Sequence, residues 1–202
     1  MAEEIRLPSP LKEGMVSLEE TIAKRRSVRS FLPKALKIED LSMLLWVGQG
    51  ETAPYSRAVP SAGATFPLEL YVLIGKDGII GIPPGLYQYH PKGHFITPEI
   101  QEDLRRPLSS ACLDQSFIEE APISLIITAL PSRTTSHYGE RGIRYVYMEV
   151  GHAGQNIALQ AVALNLGTVM VGAFEDKGVA KVLRLDKEEK PLYIIPVGIP
   201  RI

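Results

Sequence analysis

The spacing of apolar residues along the chain predicts five helical regions. Ser17 followed by Glu20 is a capping-box pattern, and it predicts a helix that begins at Leu18. Apolar residues three and four positions apart predict the later helices, each with an apolar face. The predicted helices are Leu18 to Lys24 or Arg26, Ile38–Val47, a short interrupted region from Thr97 to Glu120, Ile143–Leu166 and Lys177–Leu183.

Apolar and β-branched runs predict strands between these helices. The predicted strands are Glu69–Ile74, Gly85–His90, Phe95–Ile96, Ile123–Leu130, Thr168–Phe174 and Leu192–Val197, and the predicted loops are Glu51–Phe66 and Pro131–Gly142. Because strands and helices do not alternate in regular βαβ units, we expect an α+β fold with a mixed, mainly antiparallel central sheet flanked by helices. We expect one domain over residues 1–202, with residues 1–16 as an N-terminal arm.

One segment could be mistaken for a membrane span. Val150–Phe174 contains no Asp, Glu, Lys or Arg and is long enough to cross a bilayer. It also carries polar side chains that would each need a partner in lipid: His152, Gln155, Asn156, Gln160 and Asn165. We therefore interpret it as a helix buried in protein followed by a strand, and we expect no membrane association.

Composition and charge exclude several classes of protein. With 22 Lys and Arg against 23 Asp and Glu, the net charge of −1 does not suit a nucleic-acid-binding protein. Cys112 is the only cysteine, and residues 1–12 do not resemble a signal peptide, so we expect a cytoplasmic protein without disulfides.

Motifs for common chemistries do not occur in the sequence. It contains no GxGxxG, Walker A, HExxH or GxSxG motif. His90 and His94 have a spacing that metal ligands use, but Pro91 and Gly93 predict a solvated turn between them, and we expect no metal site. His152 lies on an apolar helix, where we expect a core or interface role.

A cluster of arginines follows the first helix. Arg25, Arg26 and Arg29 surround the hydroxyl of Ser27. Guanidinium groups are forked donors with a permanent charge, so this cluster could hold a dianionic phosphate. The alternative is a solvated helix end, because cations also suit the C-terminus of a helix.

Two segments of small residues could lie against a flat ligand. The first is Pro60-Ser61-Ala62-Gly63, in a long loop before a strand, and the second is Val171-Gly172-Ala173, at the end of a predicted strand. Small side chains let a backbone approach a ligand closely and present its N–H groups. A plain connection and tight helix–sheet packing are the respective alternatives.

In their order and spacing over residues 25–198, these features resemble the nitroreductase-like flavoprotein family, and within it the SagB-type dehydrogenase branch. The matching segments are Arg25–Arg29, Leu45–Gly50, Pro60–Gly63 with Pro67–Tyr71, Gln115 with Ala121-Pro122, Tyr145–Asn156, Leu166–Phe174 and Pro191–Gly198. The resemblance implies FMN bound without a covalent bond at the interface of an intertwined homodimer, whose core contains the long helix.

The resemblance also implies roles for individual residues. Arg25, Arg26, Ser27 and Arg29 correspond to the phosphate and ribityl contacts of FMN, and Pro60, Ser61, Ala62 and Gly63 to the segment that the second subunit places over the flavin. Gln115 corresponds to the amide that pairs with the pyrimidine edge, and Val171, Gly172 and Ala173 to the backbone near flavin N5. No general acid or base is implied, because the chemistry belongs to the flavin.

The chain departs from the family pattern in two places. Many members have a lysine shortly after the Gln115 position, but Ser116–Ala121 contains none, which leaves Arg144 as a candidate for stabilising charge at flavin N1. Of the basic contacts that a C-terminal extension supplies in other members, Arg201 alone could serve here. We expect Pro131–Gly142 to form a lid with Tyr138 and Arg141.

Three functions agree with this resemblance. The first is an FMN-dependent oxidoreductase that passes hydride from NAD(P)H to a small acceptor such as a nitro or quinone compound. The second is a SagB-type azoline dehydrogenase that acts in peptide maturation. The third is a flavin-binding protein without catalytic activity.

Overall fold

The helices pack against the two opposite faces of one antiparallel sheet in this computed structural model, which describes residues 4–201. The helices are α1 (Leu18–Lys24), α2 (Ile38–Gln49), α3 (Arg105–Ala111), α4 (Phe117–Glu120), α5 (Ser132–Tyr138), α6 (Arg141–Ala163) and α7 (Asp176–Leu183). The strands are β1 (Ile5–Arg6), β2 (Glu51–Ala53), β3 (Ser56–Arg57), β4 (Leu68–Ile74), β5 (Gly85–His90), β6 (Phe95–Ile100), β7 (Ile123–Ala129), β8 (Gly167–Thr168) and β9 (Lys190–Gly198).

The main sheet has seven strands in the order β1-β6-β5-β4-β7-β9-β8, and every ladder in it is antiparallel. A parallel bridge from Ser27 to Thr168 adds a mixed element at the β8 edge. The strands β2 and β3 form a separate small hairpin. The predicted α+β fold with a mixed, mainly antiparallel sheet is confirmed.

Successive side chains of the central strands point to opposite faces of the sheet, and both faces are apolar and covered by helices. In β4, Leu70, Val72 and Ile74 face a core formed with α2 and α6, whereas Tyr71 and Leu73 face a second core formed with α3, α4 and α7. All seven residues of β7 are buried, because helices cover its two faces. A strand buried on both faces has a continuous apolar sequence, which is the pattern from which it was predicted.

Two predicted elements are wrong, and each has a local reason. Thr97 and Pro98 do not begin a helix but pair with Gln88 and Tyr87 inside β6, where a register irregularity between Leu86 and Tyr87 accommodates the proline. The predicted loop Pro131–Gly142 contains α5, which has a polar sequence and only Thr134 buried, so apolar periodicity could not reveal it.

The other differences concern the extent of elements. The predicted strand Thr168–Phe174 is reduced to β8 and a single bridge between Val171 and Ile194. The predicted loop Glu51–Phe66 contains the β2–β3 hairpin and a short 3₁₀ turn over Ala62–Ala64. None of the helices within residues 4–201 is long and apolar enough to span a bilayer.

Candidate functional site

The arginine cluster lies beside the β8 edge of the sheet. Arg25 ends α1, and two residues later Ser27 pairs with Thr168 while the N–H of Val28 donates to the Thr168 carbonyl over 3.0 Å. Within residues 4–201, neither Arg25 nor Arg29 forms a salt bridge with a carboxylate. Among the described residues, the guanidinium charges of Arg25 and Arg29 therefore have no carboxylate counterion.

Arg26 and Arg29 differ in what they contact. The Arg26 Nε donates to the Lys24 carbonyl at 2.9 Å, which directs this side chain back over the end of α1. The Arg29 guanidinium carbon lies 6.0 Å from the centre of the Phe117 ring, at the far limit of a cation–π contact. Arg29 is thus directed toward the segment that also contains Gln115.

Gln115 connects two of the predicted site segments. Its Nε2 donates to the Cys112 carbonyl at 2.7 Å and to the Ala173 carbonyl at 2.9 Å. Both partners are acceptors, so the nitrogen of this amide must face them and its Oε1 remains to accept a hydrogen bond. The two preceding residues, Leu113 and Asp114, have left-handed φ angles of 60° and 56°, which turn the chain so that Gln115 reaches Ala173.

The segment Val171–Ala173 presents backbone donors. Val171 exchanges two hydrogen bonds with Ile194, of 2.9 and 3.0 Å, which attach the segment to β9. Gly172 and Ala173 are exposed, and within the described chain their N–H groups donate to no protein acceptor. Together with Arg25–Arg29 and Gln115, this segment forms the arginine half-site.

Pro60–Gly63 lies elsewhere in the same chain. Thr65 and Thr134 share a hydrogen bond of 2.8 Å, and a Cβ on Gly63 would come within 2.7 Å of the Tyr138 hydroxyl, so the segment packs against α5. We call Pro60–Gly63 with Tyr138 the loop half-site. The family resemblance predicts that the second subunit supplies this segment to the flavin, so that each cofactor site combines the half-sites of two chains.

The distance between the half-sites follows from strand register. The arginine half-site adjoins Thr168, whose strand partner Val197 pairs with Ile123, the first residue of β7. The loop half-site precedes Leu68, which pairs with Ala129, the last residue of β7. A strand rises about 3.3 Å per residue, so the arginine cluster and the loop half-site adjoin strand positions roughly 20 Å apart along the sheet. Val171 lies nearer, because its partner Ile194 pairs with Ile126, in the middle of β7.

The residues predicted to form a lid lie at the junction of α5 and α6. The rings of Tyr138 and Tyr145 meet edge to face, with centroids 5.2 Å apart, and the Arg141 Nε donates to the Tyr145 hydroxyl at 2.9 Å. Arg144 is exposed on α6. Because Tyr138 ends a helix and contacts Gly63, this region supports the loop half-site as an ordered element.

Glu149 is a buried carboxyl beside the loop half-site that the sequence analysis missed. Its side chain is 3% exposed, and its Oε1 has no hydrogen-bond partner in the described chain. Burial raises the pKa of Glu149 to about 7, although the facing Ser61 hydroxyl and the Arg57 charge both favour the ionised form. Helical spacing could have found it, because Val146, Glu149 and Ala153 share the buried face of α6.

The histidines do not assemble a metal site. The predicted turn is present, and Lys92 and Gly93 at its tip are exposed. His94 itself is half-buried, and its ring contacts the Tyr89 hydroxyl at 2.8 Å and the Ser42 hydroxyl at 2.7 Å. Burial lowers the pKa of His94. His90 stacks on Phe95 instead. Residues 4–201 contain no group of three metal-ligating side chains.

These segments match a known family in sequence. The family model described as the nitroreductase family matches residues 22–199, which include both half-sites. The chain belongs to the nitroreductase family.

This nitroreductase-family chain matches nearly the whole of one relative and less than half of two others. A protein of Methanocaldococcus jannaschii, provisionally named a nitroreductase, is 45% identical over 196 residues, which are 96% of each chain. A nitroreductase structure from Anabaena variabilis has a TM-score of 0.86 at 29% identity, covering 99% of this chain and 42% of the other. The trifolitoxin-processing protein TfxB of Rhizobium leguminosarum is 30% identical over 77% of this chain and 45% of its own.

One face of α6 is exposed to solvent in the single chain. Ile143, Tyr147, Gly151 and Gln155 follow one another at intervals of four along this face, and all are exposed. His152 is exposed beside them, so a core role for it is wrong and an interface role stays a prediction.

Within a single chain, the helix that the resemblance places in the core of a homodimer is buried on one face, and its burial by a second copy stays a prediction. The buried face of α6 includes small residues that pack inside the chain: Ala153, Gly154, Ala158 and Ala161. A Cβ on Gly154 would meet Tyr193 at 3.4 Å, whereas one on Gly151 would meet nothing within 4 Å.

Proposed function

We propose that this nitroreductase-family protein is an FMN-dependent oxidoreductase that passes hydride from NAD(P)H to a small acceptor such as a nitro or quinone compound. The observation that carries the proposal is that Arg25 and Arg29 form no salt bridge within residues 4–201, on the side of the fold where Gln115 contacts Ala173. When bound, the flavin supplies the hydride chemistry. The protein supplies binding, orientation and access.

The residues of the arginine half-site fit a phosphorylated flavin by their chemistry. Arg25, Arg29 and the Ser27 hydroxyl would hold the phosphate and ribityl chain, with Arg26 at the rim. The Oε1 of Gln115 is an acceptor, which suits a ring N–H of a pyrimidine edge. The N–H groups of Gly172 and Ala173, next to Val171, are donors that suit the flavin N5 region.

The proposal includes a homodimer with shared sites. In one chain the arginine cluster and the loop half-site adjoin strand positions roughly 20 Å apart along the sheet, so a second copy would supply Pro60, Ser61, Ala62 and Gly63 to the flavin held by the first. The open face of α6 offers an apolar surface for that contact. We expect a total buried area above about 2,000 Å², as in obligate dimers.

Substrate contacts belong to the same proposal. Tyr138 and Arg141 would line the access to the flavin from the loop half-site, and Arg144 would be the nearest candidate to stabilise charge at flavin N1. We place the protein in the cytoplasm on the ground of its single cysteine, Cys112, which is buried and free.

Flavin binding tests the proposal directly. Each of Arg25 and Arg29 would make a charge-assisted contact worth about 1.5–3 kcal/mol, so Arg29→Ala should weaken FMN binding by about ten- to a hundredfold. An Arg184→Ala variant removes the same charge at an exposed position and serves as the control. Unchanged FMN affinity in the Arg25→Ala/Arg29→Ala double variant would contradict the phosphate site.

Oligomeric state tests the shared site. Gly151→Glu places a charge on the open face of α6 without a clash inside the chain, and it should abolish the dimer and the yellow colour together. A charge at Ala158 would not test the dimer interface, because Ala158 is 1% exposed within a single chain and Ala158→Glu would disrupt the core of that chain. Light scattering with an absorbance spectrum measures both properties, and a wild-type monomer that retains FMN would refute the shared site.

A second candidate function, a SagB-type azoline dehydrogenase, is favoured by the similarity to TfxB. The two activities differ in the electron donor. Bleaching near 450 nm when NADH or NADPH is added to FMN-loaded protein supports the first function. Bleaching by an azoline-containing peptide alone supports the second, and bleaching by none of these donors indicates a flavin-binding protein without catalytic activity.

A further inference from the structure

We propose that Arg57 and Arg133 are positioning residues that fix Phe66 in a left-handed backbone conformation and thereby order the Pro60–Gly63 segment. The inference rests on the proposed function only in taking Pro60–Gly63 as a cofactor contact. Neither arginine belongs to the half-sites, and the sequence analysis gave them no role.

The backbone of Phe66 needs external support. Its φ is 45°, and Gly63 and Ala64 before it have φ angles of 59° and 52°. A left-handed conformation is uncommon for a bulky side chain, and it persists only where the surroundings determine it. Three such residues within four positions make Pro60–Phe66 a segment that its own sequence would not order.

Each polar or aromatic group of Phe66 has a partner. Its N–H donates to the Ser61 Oγ at 2.9 Å, and its carbonyl accepts from the Arg133 Nη1 at 3.0 Å. The Arg57 guanidinium carbon lies 4.4 Å from the centre of its ring, well within cation–π distance. The residue is therefore held from three directions.

The two arginines are themselves attached to the sheet and to a helix. Arg133 forms a salt bridge of 2.6 Å with Glu69 on β4. The Arg57 Nη1 donates to the Gln49 Oε1 at 2.8 Å, at the end of α2. Both anchors belong to the packed part of the molecule, so they can transmit its rigidity to Phe66.

Arg57 lies among charged groups in a partly buried position. Burial lowers the pKa of Arg57 most, Arg133 lowers it further, and Glu69, Glu149 and Glu51 act to raise it. A guanidinium keeps its charge in such surroundings, because its pKa lies far above neutrality. Arg57 thus remains able to bind the face of the Phe66 ring.

Support passes from Phe66 to the loop half-site through Ser61. The Ser61 Oγ that accepts the Phe66 N–H belongs to Pro60–Gly63 itself, so fixing Phe66 fixes this segment. A segment that is already ordered loses less entropy when a ligand binds to it. Arg57 and Arg133 therefore raise cofactor affinity without touching the cofactor.

Hydrogen exchange of residues 60–67 tests this inference with and without FMN. Arg133→Gln removes one hydrogen bond, and Arg57→Met removes the charge but keeps the length of the side chain. We expect each variant to speed exchange of the Phe66 amide by about tenfold or more, as for loss of one charge-assisted contact. Arg57→Lys, which keeps a cation over the ring, should restore part of the protection, and Arg184→Gln at an exposed site should change nothing.

FMN affinity, measured by quenching of flavin fluorescence, completes the test. The affinity should fall about threefold or more in the Arg57→Met/Arg133→Gln double variant. The same two substitutions should lower the affinity by less when Ser61→Ala is already present, because Ser61 transmits the effect. Unchanged exchange at Phe66 would overturn the inference whether or not FMN binds. Faster exchange with unchanged FMN affinity would overturn the link to the cofactor. Absence of FMN binding to the unaltered protein would refute the proposed function, while the exchange result would still decide the role of the arginines.

Discussion

Replacement of Glu149 by Gln should make the protein more resistant to unfolding at alkaline pH. Burial raises the pKa of Glu149 from an ordinary 4.5 to about 7, so the folded protein binds a proton that the unfolded chain releases. The stabilising contribution of this proton is complete below pH 4.5. It declines as the pH rises from about 4.5 to about 7, and above that the carboxylate is ionised in both states.

The magnitude follows from the size of the pKa difference. One pKa unit corresponds to 1.36 kcal/mol, so the ionised carboxylate costs the folded state about 3 kcal/mol at pH 8, of which about 2.5 kcal/mol develops between pH 5 and pH 8. Gln does not titrate, and any effect of its amide is the same at every pH. The free energy of unfolding of Glu149→Gln minus that of the wild type should therefore increase by about 2.5 kcal/mol over this range.

Denaturant unfolding at pH 5, 6, 7 and 8 measures this difference. Protein concentration and FMN content must match between samples, because dimerisation and ligand binding both stabilise the folded state. A Glu140→Gln variant removes the same charge at the exposed position that precedes the same helix, and it controls for net charge. A difference that stays constant or decreases with pH would refute the burial of an ionisable Glu149.

Two further predictions concern the half-sites. Gln115→Leu removes both N–H donors of the side-chain amide and should weaken FMN binding by about tenfold, because the lost hydrogen bond frees the Ala173 segment. A fluorescence titration measures the affinity, and a Gln115→Leu variant that binds FMN like the wild type would contradict this role. Gly63→Ala should destabilise the protein by about 1–3 kcal/mol, because φ of residue 63 is 59° and the new Cβ would clash with the Tyr138 hydroxyl. Tyr138→Phe should recover the part of this loss that is due to the clash but not the part that is due to φ, and a double-mutant cycle of thermal unfolding measures the two parts.

Apolar patterning determined the elements that form the two cores. The strands β4, β7 and β9 and the helices α2 and α6 could be predicted because their sequences repeat with the period of a strand or helix, or run continuously apolar. The arginine cluster and the two segments of small residues could also be found, because their residue types are close in sequence. These are local properties, which the chain carries wherever it folds.

Tertiary structure decided which of these residues meet. The contact of Gln115 with Ala173 joins residues 58 positions apart, and the support of Phe66 by Arg133 spans 67 positions. The register of β7 decided that the loop half-site lies at the opposite end of the sheet from the arginines. The helix α5 depends on packing as well, because its polar sequence has no apolar period to detect. The buried face of α6 can be assigned from helical spacing, but packing decided that Glu149 on that face meets Ser61 and Arg57. Contacts between residues so far apart in sequence depend on how the whole sheet is assembled, so no local sequence pattern predicts them.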